Sequence, residues 1–174
     1  MTRRAVEILQ RLHSGKVTGA EIGVFQGKTS AKLLGNEMLY LLMVDHWRGF
    51  SADGKVIAND RQQEKNMNTA IEATEFAKDR RKIIIKDSND AATGIDHNSL
   101  DFVFIDANHS YEAVMEDIKS WLPKLKEGGL LCGHDYANNE YEFGNEVKRA
   151  VDESVNFYGW ILELSHDFTW FCKV

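Results

Sequence analysis

Five short runs rich in Val, Ile, Leu and Phe recur near residues 18–24, 39–45, 82–87, 100–106 and 129–135, and mostly helix-like segments separate them. Strands that are apolar on both faces must be covered on both faces. The pattern therefore predicts a doubly wound α/β fold with a largely parallel sheet. The clearest helix follows Ser110, where Val114, Met115, Ile118, Trp121, Leu122 and Leu125 recur at steps of three and four, with Ser110 as N-cap and Gly128-Gly129 as the stop. Val147, Ala150 and Val151 mark a second helix, residues 59–78 a third, and residues 1–16 an N-terminal helical segment. Near the end, Trp160-Ile-Leu-Glu-Leu and Phe168-Thr-Trp-Phe-Cys-Lys-Val are joined by only Ser165-His166-Asp167, too short for a crossover, so they should pair as an antiparallel hairpin. No repeat or linker interrupts the 174 residues, which read as a single domain over 1–174. Residues 46–58 look like an irregular loop, a candidate lid, with two exposed-looking aromatics, Trp47 and Phe50, either closing over a ligand or covering the sheet edge.

Composition narrows the partners. A net charge of -6 disfavours a sequence-independent grip on nucleic acid. No apolar run approaches the roughly 20 residues of a membrane span, and the N-terminus does not resemble a signal peptide. Cys132 and Cys172 lie in apolar runs without metal spacing and read as buried thiols, as expected of a soluble cytoplasmic protein. The basic run Lys78, Arg80, Arg81, Lys82 reads as a solvated helix end.

Ligands of open α/β sheets bind beyond the carboxyl ends of the strands. Four of the runs end there in an acid: Asp45, Asp87, Asp106 and Asp135. The first run leads into Glu21-Ile-Gly-Val-Phe-Gln-Gly, whose Gly23 and Gly27 allow close backbone approach, while Phe25 stands where a dinucleotide fingerprint requires glycine. A ligand without pyrophosphate fits better. Glu21 suits a cationic group, and Asp45, 22 residues after Gly23, suits the two hydroxyls of a ribose. His109 reads either as a base or as a cap at the helix start. His134 could ligate an ion, orient Asp135 or pack as a neutral core residue. Tyr111 and Tyr136 stand near the same rim, as packing residues or substrate contacts.

These residues, together with Phe102-Val-Phe-Ile-Asp-Ala-Asn-His-Ser-Tyr and Gly128-Gly-Leu-Leu-Cys-Gly-His-Asp-Tyr, resemble the Rossmann-like class I S-adenosylmethionine-dependent methyltransferases. Within them the chain is similar to the small bacterial group related to macrocin-type sugar and catechol O-methyltransferases. The resemblance implies a seven-stranded sheet of order 3-2-1-4-5-7-6 with helices on both faces. It also implies S-adenosyl-L-methionine as cofactor, with Glu21, Gly23 and Gly27 at its methionine end, Asp45 at the ribose, and Asp87 with Ser88 at the adenine. Asp106 would be a catalytic acid and metal ligand, His109 the general base, and Asp135 a second ligand for Mg2+ or another divalent cation. His134 stands where the group has an acid beside Asp135, a departure in the ligand set. The expected acceptor is a small hydroxylated molecule or glycan, with a homodimer in prospect because few residues precede the first strand. The single proline, Pro123, lies far from the Asp/Asn-Pro-Pro-aromatic motif of amino-methyltransferases and turns the expectation toward oxygen. Two other classes compete: a noncatalytic cofactor-binding module, and an NAD-dependent oxidoreductase, which Phe25 disfavours.

Overall fold

The computed structural model describes residues 3–52, 55–139 and 143–174, without the side chains of 50–52 and 55–56. Asp53 and Gly54 of the candidate lid, and the side chain of Phe50, lie outside the described residues. The strands are β1 (Val17–Ile22), β2 (Leu39–Asp45), β3 (Phe50–Ala52), β4 (Lys55–Ala58), β5 (Arg81–Ile85), β6 (Leu100–Ile105), β7 (Leu125–Gly133), β8 (Leu162–Leu164) and β9 (Trp170–Lys173). The helices are α1 (Arg3–Arg11), α2 (Lys28–Leu33), α3 (Asp60–Ala73), α4 (Ser88–Thr93), α5 (Tyr111–Trp121) and α6 (Gly144–Tyr158). The main sheet runs β5-β2-β1-β6-β7-β9-β8. Counting only its own seven strands, this is the order 3-2-1-4-5-7-6. β1 pairs in parallel with β2 and β6, β2 with β5, and β6 with β7, while β9 runs antiparallel to both β7 and β8.

Alternation along each strand sorts the core into two layers. Leu39, Leu41 and Met43 of β2, with Phe102 and Phe104 of β6, pack against Ala5, Ile8, Leu33, Leu34 and Ala70 from α1, α2 and α3. Leu42, Val44, Val103 and Ile105 face the other way, onto Val114, Ile118 and Trp121 of α5 and Val147, Ala150 and Val151 of α6. That two-sided burial is why the strands read as unbroken apolar runs.

Four local expectations are corrected. The N-terminal helix is confined to Arg3–Arg11 rather than extending to residue 16. The helix after Ser110 ends at Trp121, followed by a short 3-10 turn, and does not continue to Gly128-Gly129. Those glycines lie inside β7, where Gly128 takes a φ of 74°. The 46–58 segment contains the antiparallel pair β3–β4, and Trp47 is 6% exposed instead of standing in solvent. The basic run is not a solvated end throughout. Arg80 donates to the carbonyls of Leu34, Asn36 and Leu39, and Arg81 to that of Ile71, so both guanidinia satisfy main-chain acceptors that the fold brings to them.

One buried acid carries a stability prediction. Asp117, on α5, is 4% exposed; burial pushes its carboxyl up to about 6, and the Ser88 hydroxyl offsets this only in part. A carboxyl whose folded pKa exceeds its unfolded value of about 3.9 costs nothing at pH 4 and destabilises as the pH rises through the folded value. Asp117→Asn is therefore expected to stabilise the protein at pH 7.5 by about 2 kcal/mol, with the gain fading toward pH 4. Urea melts at the two pH values read this out, and a gain that does not depend on pH counts against the assignment.

Candidate active site

The parallel strands deliver their carboxyl ends to one rim. β1 passes into a tight loop in which Gly23 and Gly27 have φ of 88° and 71° and Phe25, 57% exposed, has φ of 52°. A Cβ on Gly23 would stand 2.1 Å from the carbonyl oxygen of Asp106, so a glycine there lets the loop press against the end of β6. The Asp106 N–H in turn donates to the Ile22 carbonyl at 2.7 Å.

Asp45, at the end of β2, holds this loop. Its Oδ2 accepts from the N–H groups of Val24 (3.0 Å) and Phe25 (2.9 Å), and its Oδ1 from that of Trp47 (2.9 Å). The Trp47 indole closes the ring by donating to the Phe25 carbonyl at 2.8 Å. Each carboxylate oxygen can accept more than one hydrogen bond, so Asp45 retains capacity for hydroxyl donors. Glu21 lies 2% exposed within β1, hydrogen-bonded by the Ser30 hydroxyl of α2; burial pushes its carboxyl up to about 8, which makes it neutral near pH 7. Asp87 is half-exposed ahead of α4 and pairs with Arg48. The Ser88 hydroxyl accepts from the Trp121 indole at 2.8 Å, which commits it to packing between α4 and α5. Because Asp45 pairs in register with Ile85, the positions expected for methionine, ribose and adenine follow the strand order β1, β2, β5 along the rim.

Beyond β6 and β7 a second group converges. Asp106, His134 and Asp135 each offer a donor atom, all within 4.8 Å of one another. His134 Nδ1 is 3.1 Å from Asp135 Oδ1 and 3.9 Å from Asp106 Oδ1. His109 Nε2 approaches Asp135 Oδ2 to 2.8 Å and Asp106 Oδ1 to 3.5 Å, but it is aligned with neither for a hydrogen bond, so these contacts are ionic. Burial alone would pull the imidazole down; the two carboxylates outweigh it and hold His109 up at about 9. Burial likewise raises Asp135, but His109, His134 and Asn138 hold it well below the ordinary carboxylate range. The backbone of Asp135 is left-handed (φ 61°), a conformation uncommon outside glycine that turns its carboxylate into this cluster.

His109 is not the helix cap. Ser110 Oγ accepts from the Ala113 N–H at 3.4 Å, while the His109 ring stacks on Phe143 with centroids 4.4 Å apart. Tyr111 and Tyr136 spend their hydroxyls on Glu153 and Asp152 of α6, at 2.5 and 2.7 Å. Three participants were missed from the sequence. Arg4 Nη1 donates to Asp106 Oδ2 at 2.7 Å, Asn138 donates to Asp135 Oδ1 at 2.6 Å, and Phe143 supplies the stacking face. The only hint of Arg4 was its place four residues before Ile8, on the side of α1 that is buried. A cleft of about 540 Å3 among the described residues is lined by Arg4, Asp106, His109, Asp135, Phe143 and Phe168.

A sheet of this order, with a two-glycine loop after the first strand and acids on the rim, defines the fold of class I S-adenosylmethionine-dependent methyltransferases. Residues 20–136 match the family model described as a methyltransferase domain, and the chain belongs to that family. Over 63 residues it is 30% identical to the uncharacterized protein y4gI of Sinorhizobium fredii; the match covers 36% of this chain and only 7% of that relative's length. A cofactor-bound protein from MTB superposes with a TM-score of 0.74 at 14% identity, over 100% of this chain and 80% of its own. A Staphylococcus aureus protein assigned as a caffeoyl-CoA O-methyltransferase gives 0.72 at 16% identity, over 98% and 81%. A Corynebacterium glutamicum protein gives 0.72 at 11% identity, over 99% and 81%. At these identities the likeness is one of fold. Among the described residues no helix is long and apolar enough to cross a membrane.

Proposed function

We propose that the chain transfers the methyl group of S-adenosylmethionine to an oxygen of a small hydroxylated acceptor such as a sugar, catechol or polyketide-like molecule. The observation that carries this reading is the meeting of Asp106, His109 and Asp135 beside the glycine loop, where β6 abuts the end of β1. The cofactor would supply an electrophilic methyl group. The chain's own work is then to hold the acceptor in line with that group and to take up one proton from its hydroxyl.

Asp45 and the N–H groups it organises would bind the ribose end, and Glu21, Gly23 and Gly27 would border the methionine end. Asp87 and the N-terminal backbone of α4 would border the adenine, with Ser88 contributing through its main chain because its hydroxyl is already committed. The mixed nitrogen and oxygen set of Asp106, His134 and Asp135 suits a divalent cation that takes imidazole beside carboxylate, such as Mn2+, better than Mg2+, which prefers oxygen ligands. When bound, such an ion would polarise the acceptor hydroxyl and lower its pKa. His109 would receive the proton at Nε2. Charge added next to the two carboxylates would also relieve their hold on the imidazolium and favour the neutral ring that a base requires.

Labelled S-adenosylmethionine screened against sugar, catechol and polyketide acceptors tests the reaction. In the turnover so identified, Asp106→Asn and His109→Ala are each expected to lower kcat/KM by about 10²–10⁴-fold while S-adenosylhomocysteine still binds. Full turnover by both variants would remove the metal-ligand and base roles together.

A further inference from the structure

The acidic rim already contains a cation of its own. Arg4 reaches from α1 to donate through Nη1 to Asp106 Oδ2 at 2.7 Å, with both side chains about four-fifths buried. Its charge also acts through space on two further acids, tempering the rise that burial imposes on Glu21 and helping to hold Asp167 low. A guanidinium cannot shed its proton, so this charge is permanent. Among the described residues the engagement is one-sided: the contact uses a single nitrogen, and the Nε of Arg4 is buried without an acceptor. Strong arginine–carboxylate pairs are bidentate, and a singly bonded one is easier to open.

Asp106 is also one of the three donors converging with His134 and Asp135. Arg4 holds its Oδ2, whereas Oδ1 is the oxygen nearest His134. A divalent ion at these donors would therefore share one carboxylate with a fixed positive charge. Like charges that close disfavour each other strongly in a partly buried site.

We propose that Arg4 is the resident counter-cation of this rim: it holds the Asp106 carboxylate in place through Oδ2 and sets the divalent affinity of the Asp106, His134 and Asp135 set low. The inference rests on the reading above that these donors accept a cation, and Arg4 acts on that site through Asp106 as a positioning residue. It implies that divalent occupancy varies with ion concentration and is not permanent.

Mn2+ titrations followed by electron paramagnetic resonance on the full chain, all at one pH so that His109 is in a common state, test it directly. Arg4→Gln is expected to bind Mn2+ at least tenfold more tightly than the unmodified protein. Arg4→Lys, which keeps the charge, should stay within about threefold of it, a split that loss of packing alone would not produce. Arg4→Met replaces the glutamine variant if the latter fails to fold, as judged by S-adenosylhomocysteine binding. Unchanged or weaker Mn2+ binding in the neutral variant, or equal tightening by lysine, overturns the proposal while leaving the cation site standing. Absence of Mn2+ binding in every variant, with S-adenosylhomocysteine still bound, overturns the cation site and this proposal together but not the methyltransferase reading.

Discussion

Asp45→Ala is expected to weaken S-adenosylhomocysteine binding by at least about a hundredfold, or roughly 2.7 kcal/mol. Three main-chain donors, on Val24, Phe25 and Trp47, lose their acceptor at once. Each such bond is worth about 1 kcal/mol net, and more where the orphaned N–H is kept from water. Two of the three residues, Phe25 and Trp47, have positive φ, a conformation that relaxes readily once the acid no longer holds it. The substitution thus removes both a hydroxyl acceptor and the shape of the loop meant to receive the cofactor. Asp45→Asn retains acceptor capacity at one oxygen and should fall between the two. Isothermal titration calorimetry separates the three proteins, and undiminished affinity in the alanine variant would take Asp45 out of the cofactor site.

Gly23→Ala should be strongly destabilising for a single added methyl group, costing about 4 kcal/mol and lowering Tm by roughly 10 °C. The added Cβ would lie 2.1 Å from the Asp106 carbonyl oxygen and 2.7 Å from the Ala107 Cα, and these are backbone atoms that no rotamer change can move aside. Gly128 provides the control. It also has positive φ, but a Cβ there meets nothing within 4 Å, so Gly128→Ala should cost only the left-handed penalty of about 1–2 kcal/mol. Thermal melts of the two variants decide the matter. Equal losses would show that φ alone governs both sites and that the contact between the glycine loop and β6 is dispensable. A larger loss at Gly23 would tie the cofactor loop to the end of the strand bearing Asp106.

Much of the architecture was legible in the chain itself. The five apolar runs became β1, β2, β5, β6 and β7, and the three-residue joint at Ser165 forced the antiparallel return of β8 and β9. The misreadings have separate physical origins. Gly128-Gly129 looked like a helix stop because a glycine with positive φ ends helices, yet the same freedom serves an irregular strand start: the β6–β7 register shifts between Leu100 and Phe102. Arg80 and Arg81 looked solvated because charge usually is, but their partners are carbonyls at Leu34, Asn36, Leu39 and Ile71 that no local pattern announces. Trp47 looked exposed because its neighbours are polar; it is buried in the apolar layer that also holds Val24, Met43 and Ala70, with its indole bonded to the Phe25 carbonyl 22 residues earlier.

The same division runs through the site. Strand periodicity and the rule that ligands gather beyond the carboxyl ends of parallel strands are local and topological, so the sequence alone was enough to put Asp45, Asp87, Asp106 and Asp135 on one rim with Gly23 and Gly27 beside them. Charge state and partnership were decided only by the tertiary structure. Arg4 meets Asp106 across 102 positions of sequence, Glu21 becomes neutral because β1 and α2 bury it, and His109 becomes cationic because two carboxylates from separate strands close on one ring. These properties depend on through-space distance and on exclusion of water, and neither is a function of spacing along the chain.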